Sequence, residues 1–556
     1  MARLHLEYYK GSGCNQNKID VNRDIMEYIK KNSDEDYASV LTEDSRWQVF
    51  YHLSQMRTSV LNWYEFKKKS DILEIGGEFG ALTGMLCDRC QNVTTVEYGL
   101  FKAQAIQERY KKRDNLDIYA GNITDMEISR QFDYIIMIGS LERQCGGSKN
   151  SEDYVKYLSG LKSYLKPDGK FLIAAENKYG LRYFCGEPEN YTKMPFGGIG
   201  QYCTPGKGYT FGRHELEMIL ENAGLIQQRF YYPLPDYKLA QMVYSDEYLP
   251  QKDLGERLLF YHPDPSTLLL PEQWLYSDIL DNKVFHFFAN SFLVECSESG
   301  DKGTAVFAAV TTDRGKEHGL ATSIHQAPDK KGRRFVKKRA LYDDGQKSVR
   351  SAYDNIMNLK QHGVPIVPHT MENDAIVMPF VDEITCSDYL RKLVSEKNKE
   401  QFEVIFELIY QNIIRSSEIV SSEKNAFPGS EECQIEYGPI LKQCYVDMVP
   451  FNCFYVDKQL IYFDQEFIKE NYPAAYPMFR ALMYTYIFTP EAEQLVPLSV
   501  MKERYGLEML WEVLSEEEQH FVADNRRHNV YRNFYQWTWV DLERMEKNRR
   551  QIGKCL

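Results

Sequence analysis

Between Asp71 and about Cys296, short β-rich apolar runs alternate with stretches of helical pattern, and no other feature restricts the fold of this chain as much. The runs are DILEI, NVTTVE, LDIYA, FDYIIMIG, GKFLIAAE and HFFANSFLVEC. Strand–helix alternation predicts an α/β domain on a largely parallel, doubly wound sheet. Residues 1–45 read as a polar, irregular segment, and RWQVFYHLSQMRTSVLNWYEF (46–66) as a helix leading into the first strand. A polar linker, SESGDKGT (297–304), closes the alternating region. Beyond it lie a β-rich patch (305–380) and a mostly helical remainder, so one domain is expected over 46–300 and another over 301–556. A chain of 556 residues also exceeds the roughly 250–300 at which single cores stop growing.

Charge narrows the function classes. A net charge of −13 argues against non-specific nucleic-acid binding, which needs a cationic footprint. No stretch approaches the roughly 18 apolar residues of a membrane span, and MARLHLEYYKGSG lacks the apolar core of a signal peptide. The expected location is the cytoplasm, including the inner face of the membrane. Twelve scattered cysteines fit reduced thiols better than a disulfide framework. Cys87 and Cys90 form a CxxC on the helical pattern GALTGMLCDRC, with no second pair at zinc-finger spacing, and read as core packing.

In DILEIGGEFGALT an apolar strand ends in Glu74, and Gly76, Gly77 and Gly80 then open a helix. Glycines there let the backbone turn tightly and approach a ligand. The next run ends in Glu97, where a carboxylate can take both hydroxyls of a ribose. The third is followed by GNITD (121–125), which brings Asn122 and Ile123 to flank an adenine. The fourth leaves Gly139 and Ser140 at a strand's carboxyl end, where open α/β sheets bind ligands. This set resembles the class I S-adenosylmethionine-dependent methyltransferases, whose motif is an acidic residue, x, Gly, x, Gly, x, Gly. Glu74, Gly76 and Gly80 match, while Glu78 replaces the middle glycine. The resemblance implies a Rossmann-like domain that holds S-adenosyl-L-methionine at Glu74, Gly76, Gly77, Gly80, Glu97, Asn122, Ile123 and Gly139. No general base stands out. The absence of an Asn/Asp-Pro-Pro-aromatic motif after the fourth strand weighs against methylation of amino groups on nucleic-acid bases. AAENKYGLRYFCGEPENY (174–191), with Tyr202 and Tyr209, reads equally as an acceptor lid or a packed surface loop. It looks like a motif in methyltransferases associated with bacterial surface-polysaccharide synthesis.

A second constellation lies near residue 450. Asp447 and Asn452 frame DMVPFN, and FYV, DKQ and LIYF then read as strand, turn and strand delivering Asp464. This order resembles the protein-kinase and aminoglycoside-phosphotransferase superfamily. The resemblance implies a bilobal α+β domain, with a small lobe near 301–380 and a helical lobe near 381–556. Asp447 would receive the acceptor hydroxyl's proton, and Asn452 and Asp464 would hold magnesium against ATP. RRFVKKRAL is the expected third strand of the small lobe, AVFAAVTT and LATSIHQA its first hairpin, with Lys338, or else Lys337, aimed at the phosphates. Two departures stand out. Tyr445 and Val446 replace the residues that usually precede the catalytic Asp, and the following helix lacks a glutamate at the obvious place, with Asp354 a weak substitute.

Together the halves resemble bacterial bifunctional kinase-methyltransferases that end surface-polysaccharide chains by phosphorylating a terminal sugar and methylating that phosphate. The expected acceptor is thus a glycan or glycolipid-linked saccharide, with glycosyltransferases of an assembly complex as partners. Two rival readings stay open: a sugar methyltransferase with an inactive kinase-like glycan-binding domain, and a non-catalytic scaffold.

Overall fold

The computed structural model describes residues 1–11, 20–32, 36–203, 207–299, 303–327, 332–428 and 435–555. They form two compact units, one of Met1–Asp313 with His528–Leu556 and one of Arg314–Arg527. Both boundaries differ from the expected split at residue 300. The first unit extends past the 297–304 linker, of which 300–302 lie outside the described residues, and it also takes up the end of the chain.

The first unit is built on a mixed sheet. Its strands are β1 (Arg3–His5), β2 (Asp71–Ile75), β3 (Asn92–Glu97), β4 (Leu116–Ala120), β5 (Phe132–Ile138), β6 (Leu165–Glu176), β7 (Gln227–Leu234), β8 (Met242–Ser245), β9 (Ser291–Ser297) and β10 (Ala305–Val310). Their order is β1-β4-β3-β2-β5-β6-β9-β7-β8-β10. From β1 to β6 every pair is parallel, whereas β9, β7, β8 and β10 join by antiparallel pairs. The central strands are apolar on both faces because helices cover both, as parallel sheets require; Ile72 and Leu73 are fully buried. The order reverses at β2, whose neighbours are β3 and β5, and such a switch point opens a crevice at the carboxyl ends of the strands.

Several expectations change here. The run AVFAAV (305–310), read as part of the second domain's first hairpin, is β10 and pairs with β8 in the first unit. HFF, read into the last strand, lies in a short helix, Phe285–Phe288. The strand QQRFYYPL (227–234) escaped notice because its first three residues are polar and partly exposed. The N-terminal segment is not irregular: β1 pairs with β4, and helices span Asp20–Lys31 and Ala38–Glu43. Ile25 and Ile29, one turn apart among charged neighbours, are buried with Phe50, Phe79 and Phe534. The expected helix over 46–66 is broken at Ser54, whose hydroxyl accepts from Met56 N.

In the second unit β11 (Leu320–Gln326), β12 (Arg334–Ala340), β13 (Thr370–Glu372) and β14 (Ala375–Pro379) form antiparallel pairs in the order β11-β12-β14-β13. The helix Gln346–Gln361 buries Val349 and Ala352 with Leu320, Ala340 and Ile376. The remainder is mostly helical, around a core shared by Lys399–Arg415 and Ala475–Phe488. Three further strands, β15 (Ile419–Val420), β16 (Ile440–Tyr445) and β19 (Ile468–Pro473), form a small sheet, and β17 (Cys453–Val456) pairs with β18 (Gln459–Tyr462). Among the described residues no helix is long and apolar enough to cross a membrane. Cys87 and Cys90 are buried and unpaired, and burial pushes the Cys90 thiol up to about 11.

Candidate functional site

At the switch point, β2 delivers the glycine turn. Gly76 and Gly80 have φ of +83° and +78°, the left-handed region that glycine adopts without strain. A Cβ on Gly76 would lie 2.7 Å from Ser140 Cβ, so the turn packs directly against the end of β5. Gly77 is equally constrained, since a Cβ would lie 2.6 Å from Thr95 Cγ2. The Ser140 hydroxyl donates to the Ile75 carbonyl at 2.8 Å and ties the two loops together. Beyond β5, Gly139 has φ +66°, and any Cβ there would clash with the Tyr237 hydroxyl.

The acidic residues divide by role. Glu74 is buried and accepts from the hydroxyls of Thr83 (2.6 Å) and Thr95 (2.8 Å), so its carboxylate braces the strand where it borders the cleft. Glu97 ends β3, and its Oε2 accepts from Glu78 N at 2.8 Å, which holds the carboxylate against the glycine turn. Burial pushes its carboxyl above the usual range. Asn122 caps the short turn Ile123–Asp125 by accepting from Thr124 N at 3.2 Å, and Ile123 is buried beneath. The turn at the ends of β2 and β5 borders a narrow cleft, lined among others by Tyr51, Arg57, Gly76, Glu78 and Gly139.

Glu78, the departure from the glycine motif, takes φ +52° itself. Its side chain meets Lys102 at 3.3 Å and also Arg143. Burial works against its charge, yet Lys102, Arg143 and His52 hold its carboxyl well below the usual range. Burial pushes His52 down to about 3, so the ring 3.6 Å from Glu78 is neutral at ordinary pH. Arg143, Lys102 and Tyr237 carry no sequence signal of their own; only the fold brings them to the turn.

The insertion after β6 is packed rather than superficial. Glu176 is buried and bonded to Tyr183, Asn190 and Lys238, and Tyr202 and Tyr209 are buried as well. Glu142 lies nearby, its Oε1 accepting from Glu176 N at 2.9 Å.

In the second unit, Lys338 of β12 is buried, and its ammonium pairs with both Asp464 and Glu466. Burial opposes the charge, but the two carboxylates hold the amine above its usual range. Arg314 makes a further pair with Glu466. Asp464 follows the β17–β18 hairpin at φ +48°, a strained geometry for a residue with a side chain. Asp447 is fixed on three sides: Oδ2 accepts from Glu466 N and Phe467 N, both at 3.0 Å, and Oδ1 accepts from Arg480 at 3.1 Å. Asn452 turns back and donates to the Asp447 carbonyl at 3.1 Å.

The structure thus brings Lys338, Asp447, Asn452 and Asp464 together. Lys338, not Lys337, meets the acidic pair. Asp354 is not the residue that links the helix to this loop; Asn355 is, donating to the Gln465 carbonyl at 3.0 Å. Glu466 was missed, although it stands two residues after Asp464. Arg480 was missed too, although it is the one charge in the apolar helix AYPMFRALMYTYIF. Among the described residues no group of three or more His, Cys, Asp or Glu side chains converges as a metal site. Asn452 and Asp464 would supply one amide and one carboxylate oxygen, a donor set suited to magnesium shared with phosphates.

Within the first unit, whose sheet is doubly wound and reverses its order at β2, residues 48–179 match the family model of Nodulation protein S (NodS). A comparison with curated proteins finds no match. Similar solved structures include the N-methyltransferase NodS from Bradyrhizobium japonicum WM9, at 18% identity, 22% of this chain, 67% of that chain and a TM-score of 0.20. The same protein in complex with S-adenosyl-L-homocysteine aligns at 17% identity over 28% of this chain and 74% of that one, with a TM-score of 0.21. An S-adenosylmethionine-dependent methyltransferase from Clostridium acetobutylicum ATCC 824 aligns at 14% identity over 33% and 87%, with a TM-score of 0.25.

Proposed function

We propose that the chain transfers a methyl group from S-adenosylmethionine to a saccharide acceptor, using the switch-point cleft of the first unit. The observation that carries the donor half of this reading is the placement of Glu97, held by Glu78 N against a glycine turn at the reversal of strand order; the saccharide follows only from the resemblance in sequence. There Glu97 would take the ribose hydroxyls, Gly76 and Gly77 would let the backbone approach the donor, and Asn122 and Ile123 would flank its base. The bound donor supplies an electrophilic methyl on a sulfonium. The protein's share is to position it and to exclude water. Calorimetry with adenosylmethionine tests this. Wild type binds, and Glu97→Ala loses about tenfold or more in affinity. Equal binding by both would remove Glu97 from the site.

A second activity, magnesium-ATP-dependent phosphoryl transfer to a sugar hydroxyl, is favoured by the Lys338–Asp464–Glu466 cluster. In that reading Asp447 receives the hydroxyl proton and Asn452 and Asp464 hold the metal. Glu466 keeps Lys338 charged and in place, the task of the missing helix glutamate. Asp464 is then shared between ammonium and metal, so loss of its carboxylate abolishes magnesium-ATP binding. A chain that binds adenosylmethionine but not magnesium-ATP would leave a methyltransferase with a non-catalytic second unit.

A further inference from the structure

We propose that Arg57 binds the carboxylate at the donor's amino-acid end and so selects adenosylmethionine over nucleosides that lack it. This assignment rests on the methyltransferase reading and adds to it a positioning residue that the glycine motif does not reveal.

Arg57 lies in the short turn Gln55–Thr58, just past the break at Ser54. The residue is only 3% exposed, and it lines the cleft together with Gly76, Gly77 and Gly139. Nη1 donates to the Tyr237 carbonyl at 3.1 Å. The guanidinium carbon stands 4.9 Å from the centre of the Tyr51 ring and 5.4 Å from that of Tyr237. The Tyr237 hydroxyl in turn packs on Gly139, too close to admit a Cβ there. The guanidinium is thus clamped beside the end of β5.

That clamp leaves the charge without a counterion, since neither a phenol nor a carbonyl neutralises it. Among the described residues three arginines are buried, Arg57, Arg182 and Arg480. Arg182 pairs with Asp236 at 2.6 Å, and Arg480 pairs with Glu518 at 2.9 Å and Asp447 at 3.1 Å. Arg57 alone of the three makes no ion pair among the described residues. The carboxylates that border the cleft are engaged elsewhere, Glu74 by Thr83 and Thr95, Glu78 by Lys102 and Arg143. A buried charge is costly unless paired, and a guanidinium fork fits a carboxylate through two parallel hydrogen bonds. A carboxylate on the ligand completes the site.

Strand order decides which end of the donor reaches Arg57. Along β4-β3-β2-β5 the carboxyl ends present Asn122 and Ile123, then Glu97, then the glycine turn, then Gly139. A donor with its adenine at Asn122 and its ribose at Glu97 extends its amino-acid end across the turn towards β5, where Arg57 stands. Adenosylmethionine carries one carboxylate, and it is at that end. Anchoring it fixes the sulfonium between two held points, the ribose and the carboxylate.

Decarboxylated adenosylhomocysteine tests this, because it differs from adenosylhomocysteine by that carboxylate alone. Calorimetry on the full chain would compare the two ligands in wild type, Arg57→Gln and Arg57→Lys. Wild type should prefer the intact ligand by about tenfold or more, as a charge-assisted pair provides. In Arg57→Gln the preference should shrink to about twofold or less, with affinity for the decarboxylated ligand unchanged. Arg57→Lys keeps the charge but loses the fork, and its preference should fall in between. Where Arg57→Gln fails to fold, Arg57→Lys alone decides. A wild type that binds both ligands alike overturns the proposal and leaves Arg57 to an anionic group on the acceptor. So does an undiminished preference in the variants, whether both ligands weaken together or neither does, which leaves Arg57 a brace for Tyr237. In those cases adenosylhomocysteine still binds wild type, and the methyltransferase reading stands. If wild type binds neither ligand, that reading itself fails and the assignment falls with it.

Discussion

Gly76 shows how a single residue shapes the cleft, and Glu142 how burial moves a proton equilibrium. At Gly76 a side chain meets two obstacles, the left-handed φ and the 2.7 Å approach to Ser140. Gly76→Ala is therefore expected to destabilise the protein by about 2 kcal/mol and to weaken adenosylmethionine binding, as read by urea denaturation and calorimetry. Glu142 holds its proton unusually tightly. Its carboxyl rises from 4.5 to about 7 on folding, so the folded state holds the proton more tightly than the unfolded one. Its contribution to stability is whole below pH 4.5 and is lost as pH rises through 7. Glu142→Gln, which never ionises, should therefore be more stable than wild type at pH 8, by up to about 3 kcal/mol. Most of that gain should vanish at pH 5. Equal stability differences at the two pH values would count against a buried, ionising Glu142.

At the scale of elements, the helix His528–Trp537, late in the chain, belongs with its start. Phe534 is buried and stacks on Phe50 with ring centroids 6.2 Å apart, and Trp537 meets Trp47 at 5.4 Å. Asn533 donates to the Leu41 carbonyl at 3.0 Å. The neighbouring helix Trp47–Leu53 carries His52 to the cleft. Phe534→Ala should thus cost about 3 kcal/mol, the usual loss for deleting a buried ring. It should also lower adenosylmethionine affinity, although the residue lies hundreds of positions from the glycine turn. A thermal melt with and without adenosylhomocysteine would measure both effects.

For the whole molecule, the two units have separate cores and separate polar sites. Asp464→Ala should abolish magnesium-ATP binding and leave adenosylmethionine affinity within about twofold of wild type, since no residue is shared between the two ligand sets. Calorimetry with each ligand in turn would show it. Loss of both affinities together would mean that Asp464 supports the fold rather than a site.

Local pattern alone determined the parallel strands β2 to β6, the glycine turn, the carboxylate at Glu97, and the order Lys338, Asp447, Asn452, Asp464. Those features are legible because periodicity, glycine and strand ends are properties of neighbours in sequence. Tertiary structure alone decided the rest. It turned Glu74 inward onto Thr83 and Thr95, and it brought Lys102 and Arg143 to Glu78. Likewise it joined Glu466 to Lys338, returned the last helices to the first unit, and left Glu142 Oε2 buried without a partner. The physical reason is common to all of these. A carboxylate's role depends on which donors, cations and apolar atoms surround it, and those arrive from distant parts of the chain only once the core has closed.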